Sequence, residues 1–119
     1  MRQRRRMVLT EICHVSDTVA KAFEERIKKV LALIAEYNVE YEEIGIFGSY
    51  ARGDYKITSD VDFCIITEKR PERKVSGSLR EDAELVGADI IYVTRKYFKE
   101  DTSVFAKNLR KDYRMLVTI

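Results

Sequence analysis

Two short apolar runs enclose one polar segment in the middle of this chain. The first run (Ile44, Ile46, Phe47) leads into Gly48-Ser49. The second (Val61, Phe63, Cys64, Ile65, Ile66) surrounds and follows the pair Asp60 and Asp62, with residues 50–59 lying between Ser49 and Asp60. Apolar runs of this length, bounded by glycine and polar residues, read as strands. The segment between them starts as a tight turn into a short helix through Arg52, which Gly53 stops. The unit therefore combines a glycine-serine turn with a carboxylate pair on the strand that follows.

Around this unit the chain alternates helical and strand patterns. Ser16-Asp17-Thr18 offers helix N-cap residues. Val19, Phe23, Ile27, Val30, Leu31 and Ile34 then recur at spacings of three and four, which predicts a helix from about 17 to 37, ending near Asn38. Glu24 with Lys28 and Glu25 with Lys29 form i,i+4 pairs on its other face. Strands are predicted over 43–47, 60–67 and 88–93, with a loop over 54–59. Pro71 and Gly77 in a charged stretch favour a loop followed by a helix from Leu79 to Val86. One or two short helices are expected over 95–112. The apolar tail, Met115 to Ile119, reads as a strand or as a packing or partner-binding segment. This order predicts a small α/β (α+β) fold, a mixed β-sheet flanked by helices.

With 119 residues the chain suits one domain with one core. The division is a basic N-terminal arm over 1–16 and a single domain over 17–119. The charged fraction, 35%, implies an ion-rich surface, but a net charge of +2 argues against strong steering to nucleic acid. Arg2, Arg4, Arg5 and Arg6 form a basic arm that reads either as an RNA or acidic-partner contact or as a solvated terminus. No apolar stretch after it makes a signal peptide, and no run reaches the length of a membrane span. The expectation is a cytoplasmic protein without membrane contact. Cys64 reads as a buried thiol. Cys13 and the lone His14 lack partners at zinc spacing.

The chemistry rests on residue type and position. Alternation along a strand sends Asp60 and Asp62 to one face. Two carboxylates held together favour a hard cation such as magnesium, which takes oxygen ligands from carboxylates and substrate phosphates. Alone, the pair reads equally as a polar strand edge. Gly48 permits close backbone approach to a phosphate, and the Ser49 hydroxyl with the amides after it can donate to phosphate oxygens. Alone, this reads equally as a capped turn. The two occur together here, each on a strand.

The string from Gly48 to Asp62 resembles the signature of the DNA polymerase beta nucleotidyltransferase superfamily. The extended form, with Ala51, Arg52, Gly53 and Ser59, is similar to its minimal nucleotidyltransferase (MNT) branch, and the resemblance covers residues 17–119. It implies a nucleotidyltransferase fold and a third carboxylate on a later strand. Asp89, a lone carboxylate in the run Ala88-Ile90-Ile91-Tyr92-Val93, is the candidate; Asp82 and Glu84 compete from a charged stretch. The resemblance implies that Asp60, Asp62 and Asp89 hold two divalent ions, magnesium or manganese, and carry the catalysis. Gly48 and Ser49 would bind the nucleotide phosphates. Arg52 would contact phosphate or make a surface salt bridge. The implied reaction transfers AMP from ATP to a hydroxyl. Stand-alone MNT proteins pair with small helical HEPN-type toxins, so the resemblance implies an antitoxin that adenylylates its toxin on tyrosine. The alternatives are a stand-alone enzyme acting on a small molecule or RNA, and an antitoxin that binds without catalysis.

Overall fold

The sheet is built from β1 (Glu43–Phe47), β2 (Val61–Ile66), β3 (Ala88–Val93) and β4 (Arg114–Thr118), in the order β3-β2-β1-β4. A computed structural model describes residues 7–119, with side chains from residue 17 onward. The Arg2–Arg6 arm and the side chains of Cys13 and His14 lie outside the described residues. β1 pairs antiparallel with both β2 and β4, and β2 pairs parallel with β3. The mixed sheet predicted from the element order is therefore present, and the parallel pair is joined through a helix, as a parallel connection requires.

The helices are α1 (Met7–Glu36), α2 (Gly48–Arg52), α3 (Arg73–Leu85), α4 (Arg95–Glu100) and α5 (Val104–Asp112). One sheet face carries Ile44, Ile46, Val61, Phe63, Ile65, Ala88 and Ile90. It packs against Phe23, Val30 and Ile34 of α1 and Leu79 and Ala83 of α3 in one buried cluster. The opposite face carries Cys64 and Ile66, buried with Leu109 of α5 and flanked by Phe47, Ile91, Val93, Phe98 and Tyr113. Strand alternation accounts for the division: odd and even positions of each strand serve different layers. Thr94 and Ser103 cap α4 and α5, their side chains accepting from the amides of Tyr97 and Ala106.

Two helices differ from expectation. α1 starts at Met7, so Ser16-Asp17-Thr18 lies within it instead of capping it. The apolar period continues upstream in the sequence at Val8, Ile12 and Val15, and that period outweighs the preference of three polar residues for a cap. Its observed exposed ion pair is Glu25 with Lys28, three residues apart. α3 runs through Gly77 instead of starting at Leu79. Burial of Leu79 and Ala83 on one stripe offsets the roughly 1 kcal/mol that an interior glycine costs. Elsewhere β1, α2 and the loop before Asp60 fall where the sequence places them, and the C-terminal run is strand β4. Asp60 itself stands just before β2, not in it. Among the described residues no helix is long and apolar enough to cross a membrane.

A Cβ added at Gly77 would meet nothing within 4 Å. Gly77→Ala should therefore stabilise the protein by about 0.5–1 kcal/mol, read as a higher urea midpoint at unchanged slope. A lower midpoint would show that α3 needs the glycine.

Candidate active site

The antiparallel register of β1 and β2 places Phe47 opposite Asp62. Gly48, the next residue, turns with φ +79°, a conformation that L-residues other than glycine rarely adopt. A Cβ at Gly48 would lie 2.3 Å from Oδ2 of Asp62. The glycine thus serves two needs at once: it allows the left-handed turn into α2, and it leaves room for the Asp62 carboxylate. Ser49 follows in the first turn of α2. Gly53 closes that helix with φ 89°, its amide donating to the carbonyls of Ser49 and Tyr50.

The parallel register of β2 and β3 sets Asp89 opposite Asp62. Asp60 is exposed in the loop before β2, close enough to act on Asp62 electrostatically. The structure thus brings Gly48, Ser49, Asp60, Asp62 and Asp89 to one end of the sheet. Burial, then the charge of Asp89, then that of Asp60 raise the Asp62 carboxyl above the ordinary carboxylate range, and Arg52 opposes them. Among the described residues no hydrogen-bond donor reaches Asp62. A half-buried carboxylate without a donor, beside two further carboxylates, is an oxygen-rich set that suits a hard divalent cation.

The set does not close around one point as it stands. Among the described residues no three ligating side chains stand together as a metal cluster. One oxygen of Asp89 is already engaged, its Oδ1 accepting the Ile90 N–H at 3.2 Å.

Arg52 takes the salt-bridge alternative. Its Nη1 lies 2.8 Å from Asp112 and its Nε 3.2 Å from Asp54. Asp82 is engaged elsewhere, accepting from Tyr37 Oη at 2.5 Å, and Glu84 lies on α3 near Arg80. Neither joins the carboxylates. Burial pushes the Cys64 thiol up to about 12, which fits an inert core thiol.

Four residues whose contacts the sequence did not disclose frame the site. Phe23 of α1 stacks on Tyr50 at 5.1 Å, and Tyr55 packs on both rings at 4.7 and 4.8 Å. This triad pins α2 and the loop before Asp60 onto α1. Arg26, 4.2 Å above the Phe23 ring, donates to the carbonyls of Ser59 at 2.9 Å and Gly87 at 3.3 Å. Those carbonyls lie just ahead of Asp60 and of β3, so one guanidinium ties together the entries of both carboxylate-bearing strands. The available signal was an arginine three residues after Phe23 with no acidic residue three or four positions away on its own helix.

Residues 25–116 match the family described as nucleotidyltransferase domain. No curated protein sequence matches the chain. Among solved structures, the chain is similar to one in a toxin–antitoxin complex with AMP-PNP, at 18% identity and a TM-score of 0.57, covering 77% of this chain and 73% of that one. It is also similar to one in the complex of a tri-AMPylated Shewanella oneidensis HEPN toxin with an MNT antitoxin, at 15% identity and a TM-score of 0.53, covering 81% and 72%. A third, in the toxin–antitoxin MntA–HepT, has 13% identity and a TM-score of 0.53, covering 81% and 73%. At these identities the likeness is one of fold.

Two outcomes follow. Gly48→Ala forces a left-handed backbone on an L-residue and drives Cβ into Asp62. It should cost at least about 1–2 kcal/mol, seen in thermal melts; an unchanged melting temperature would refute the packing. Asp62 behaves oppositely. Its folded-state pKa is raised, so the folded chain holds the proton more tightly than the unfolded chain. Stability from this group is fullest at low pH and is lost as pH rises from 3.8 towards the raised value. In chelator at neutral pH, Asp62→Asn should melt above wild type, by less than about 1 kcal/mol because solvent screens the site. The two proteins should converge on acidification; a marked loss in the variant at neutral pH would make Asp62 a structural residue.

Proposed function

Because the chain belongs to the nucleotidyltransferase domain family, we propose that it is a metal-dependent adenylyltransferase that moves AMP from ATP to a hydroxyl of a HEPN-type protein partner, a tyrosine of that partner, in the cytoplasm. The observation that carries this reading is the fit of Gly48 against Asp62, which joins a phosphate turn to a carboxylate cluster. The fold likeness to proteins from complexes with AMP-PNP and with an AMPylated HEPN toxin supports the choice of nucleotide and partner.

In this reading Asp60, Asp62 and Asp89 would hold magnesium, as two ions, which when bound would neutralise the triphosphate and lower the pKa of the attacking hydroxyl. Gly48 lets the backbone approach the β and γ phosphates, and the Ser49 hydroxyl and the amides behind it donate to their oxygens. Asp89, one strand farther from the phosphate turn than Asp62, would stand beside the acceptor and take its proton. The acceptor oxygen then bonds to the α-phosphorus, the bond to the β-phosphate oxygen breaks, and pyrophosphate leaves. Arg52 would donate to phosphate through its guanidinium, which its pairs with Asp54 and Asp112 do not exhaust. Arg26 and the Phe23–Tyr50–Tyr55 triad hold these groups in place without touching substrate.

Intact mass spectrometry of a co-expressed HEPN-type partner should show added AMP with wild type and none with Asp89→Asn, whereas calorimetry should show that Asp89→Asn still binds ATP. A partner neutralised but unmodified by wild type would leave binding without catalysis as the function.

A further inference from the structure

β3 is an edge strand: it pairs with β2 alone. The bonds from Val61 N to Gly87 O and from Thr67 N to Val93 O, with the register, direct the odd residues of β3 to β2. The N–H and C=O groups of Ala88, Ile90 and Tyr92 therefore point to the open side. Among the described residues only the Ile90 N–H has a partner there, the Asp89 carboxylate. The strand Ala-Asp-Ile-Ile-Tyr-Val carries no proline, lysine or bulge, and Asp89 is its one charged residue.

The two flanks of this edge differ in chemistry. On the α3 side a cleft of about 360 Å³ is lined by Arg70, Arg73 and Arg80 with Ile90 and Tyr92. Arg70 lies 5.2 Å over the Tyr92 ring, Arg73 has no carboxylate partner among the described residues, and Arg80 has only an exposed 3.8 Å contact with Glu84. On the other side a cleft of about 380 Å³ is lined by Ile91, Val93, Tyr97 and Phe105, and Phe105 is 48% exposed. A strand added to β3 would send alternate side chains into these two clefts. One set meets arginines and the other meets an apolar wall.

We propose that the β3 edge binds an extended segment of the partner polypeptide by strand addition, a segment alternating acidic and apolar side chains. Charge complementarity selects this occupant: a second copy of the chain would bring arginine against arginine. The docked segment also acts on the site. Its backbone carbonyl takes over the Ile90 N–H, and the Asp89 Oδ1 that accepted it is freed for the carboxylate set. Docking of the partner and completion of the carboxylate set thus become one event. This second step rests on the role given to Asp89 above.

The test uses the whole chain without nucleotide and a short fluorescein-labelled peptide alternating glutamate and valine. Anisotropy should show binding that weakens at least about tenfold when the peptide's alternate amides are N-methylated, since these must donate to the strand edge. The same loss is expected for a lysine-valine peptide and for Arg70→Glu/Arg73→Glu/Arg80→Glu. Amide exchange by NMR should slow at Ile90 on binding. No binding, equal binding of the N-methylated or lysine peptide, or a peptide-independent dimer through β3 would each overturn the proposal. So would single-stranded RNA that competes for the arginines while Ile90 exchange is unchanged. Because nucleotide is absent, the peptide can fail here while AMP transfer succeeds, and transfer can fail while the peptide binds.

Discussion

The register between β1 and β2 is the constraint on which the site depends. Phe47 opposite Asp62 sets Gly48 against the carboxylate. A slip by one residue would turn Asp62 into the core and Phe63 out of it. The connection between these strands is too long for a tight turn to fix the register. The burial of Ile44, Ile46, Val61, Phe63 and Ile65 on one face fixes it instead. The same burial that stabilises the fold therefore aims the chemistry.

Around that register the protein holds its polar groups through α1. The Phe23–Tyr50–Tyr55 triad seats the short helix that carries Ser49, and Arg26 bonds the carbonyls ahead of Asp60 and β3. A five-residue helix has little stability of its own, so its position is set by what packs on it. On the far side of the sheet a second network does similar work. Tyr113 fills the space over Gly45 and donates to Glu43 at 2.6 Å, while Arg95 bridges Glu42 and Glu43 at 3.3 Å each. That network joins β1 to the C-terminal residues and α4.

The carboxylates themselves oppose the fold. Burial and two neighbouring charges work against ionised Asp62, a cost that a bound cation removes. Asp89 meanwhile lends its carboxylate to the Ile90 amide, on an edge that carries no other described bond on its open side. The tension at Asp62 and the diversion of Asp89 occur on adjacent strands, at paired positions.

Strands β1 to β3, the α2 turn and the grouping of Gly48, Ser49, Asp60 and Asp62 were legible before folding was considered, because they depend on local periodicity, glycine chemistry and short spacing, whereas the C-terminal run was open between strand and packing segment. The resemblance that the sequence carries also pointed to Asp89. Local signals misled at the capping residues inside α1, where the apolar period of the sequence continues upstream, and at Gly77 inside α3, where burial of Leu79 and Ala83 overrode it. Folding in three dimensions settles that Asp89 pairs with Asp62 across parallel strands, that Arg52 is engaged by Asp112, and that Arg26 bonds carbonyls distant in sequence. It alone left β3 at the edge, arginines on one flank and an apolar wall on the other. These facts depend on which strands become neighbours, and neighbour choice is set by the packing of both sheet faces together, which no single window of sequence contains.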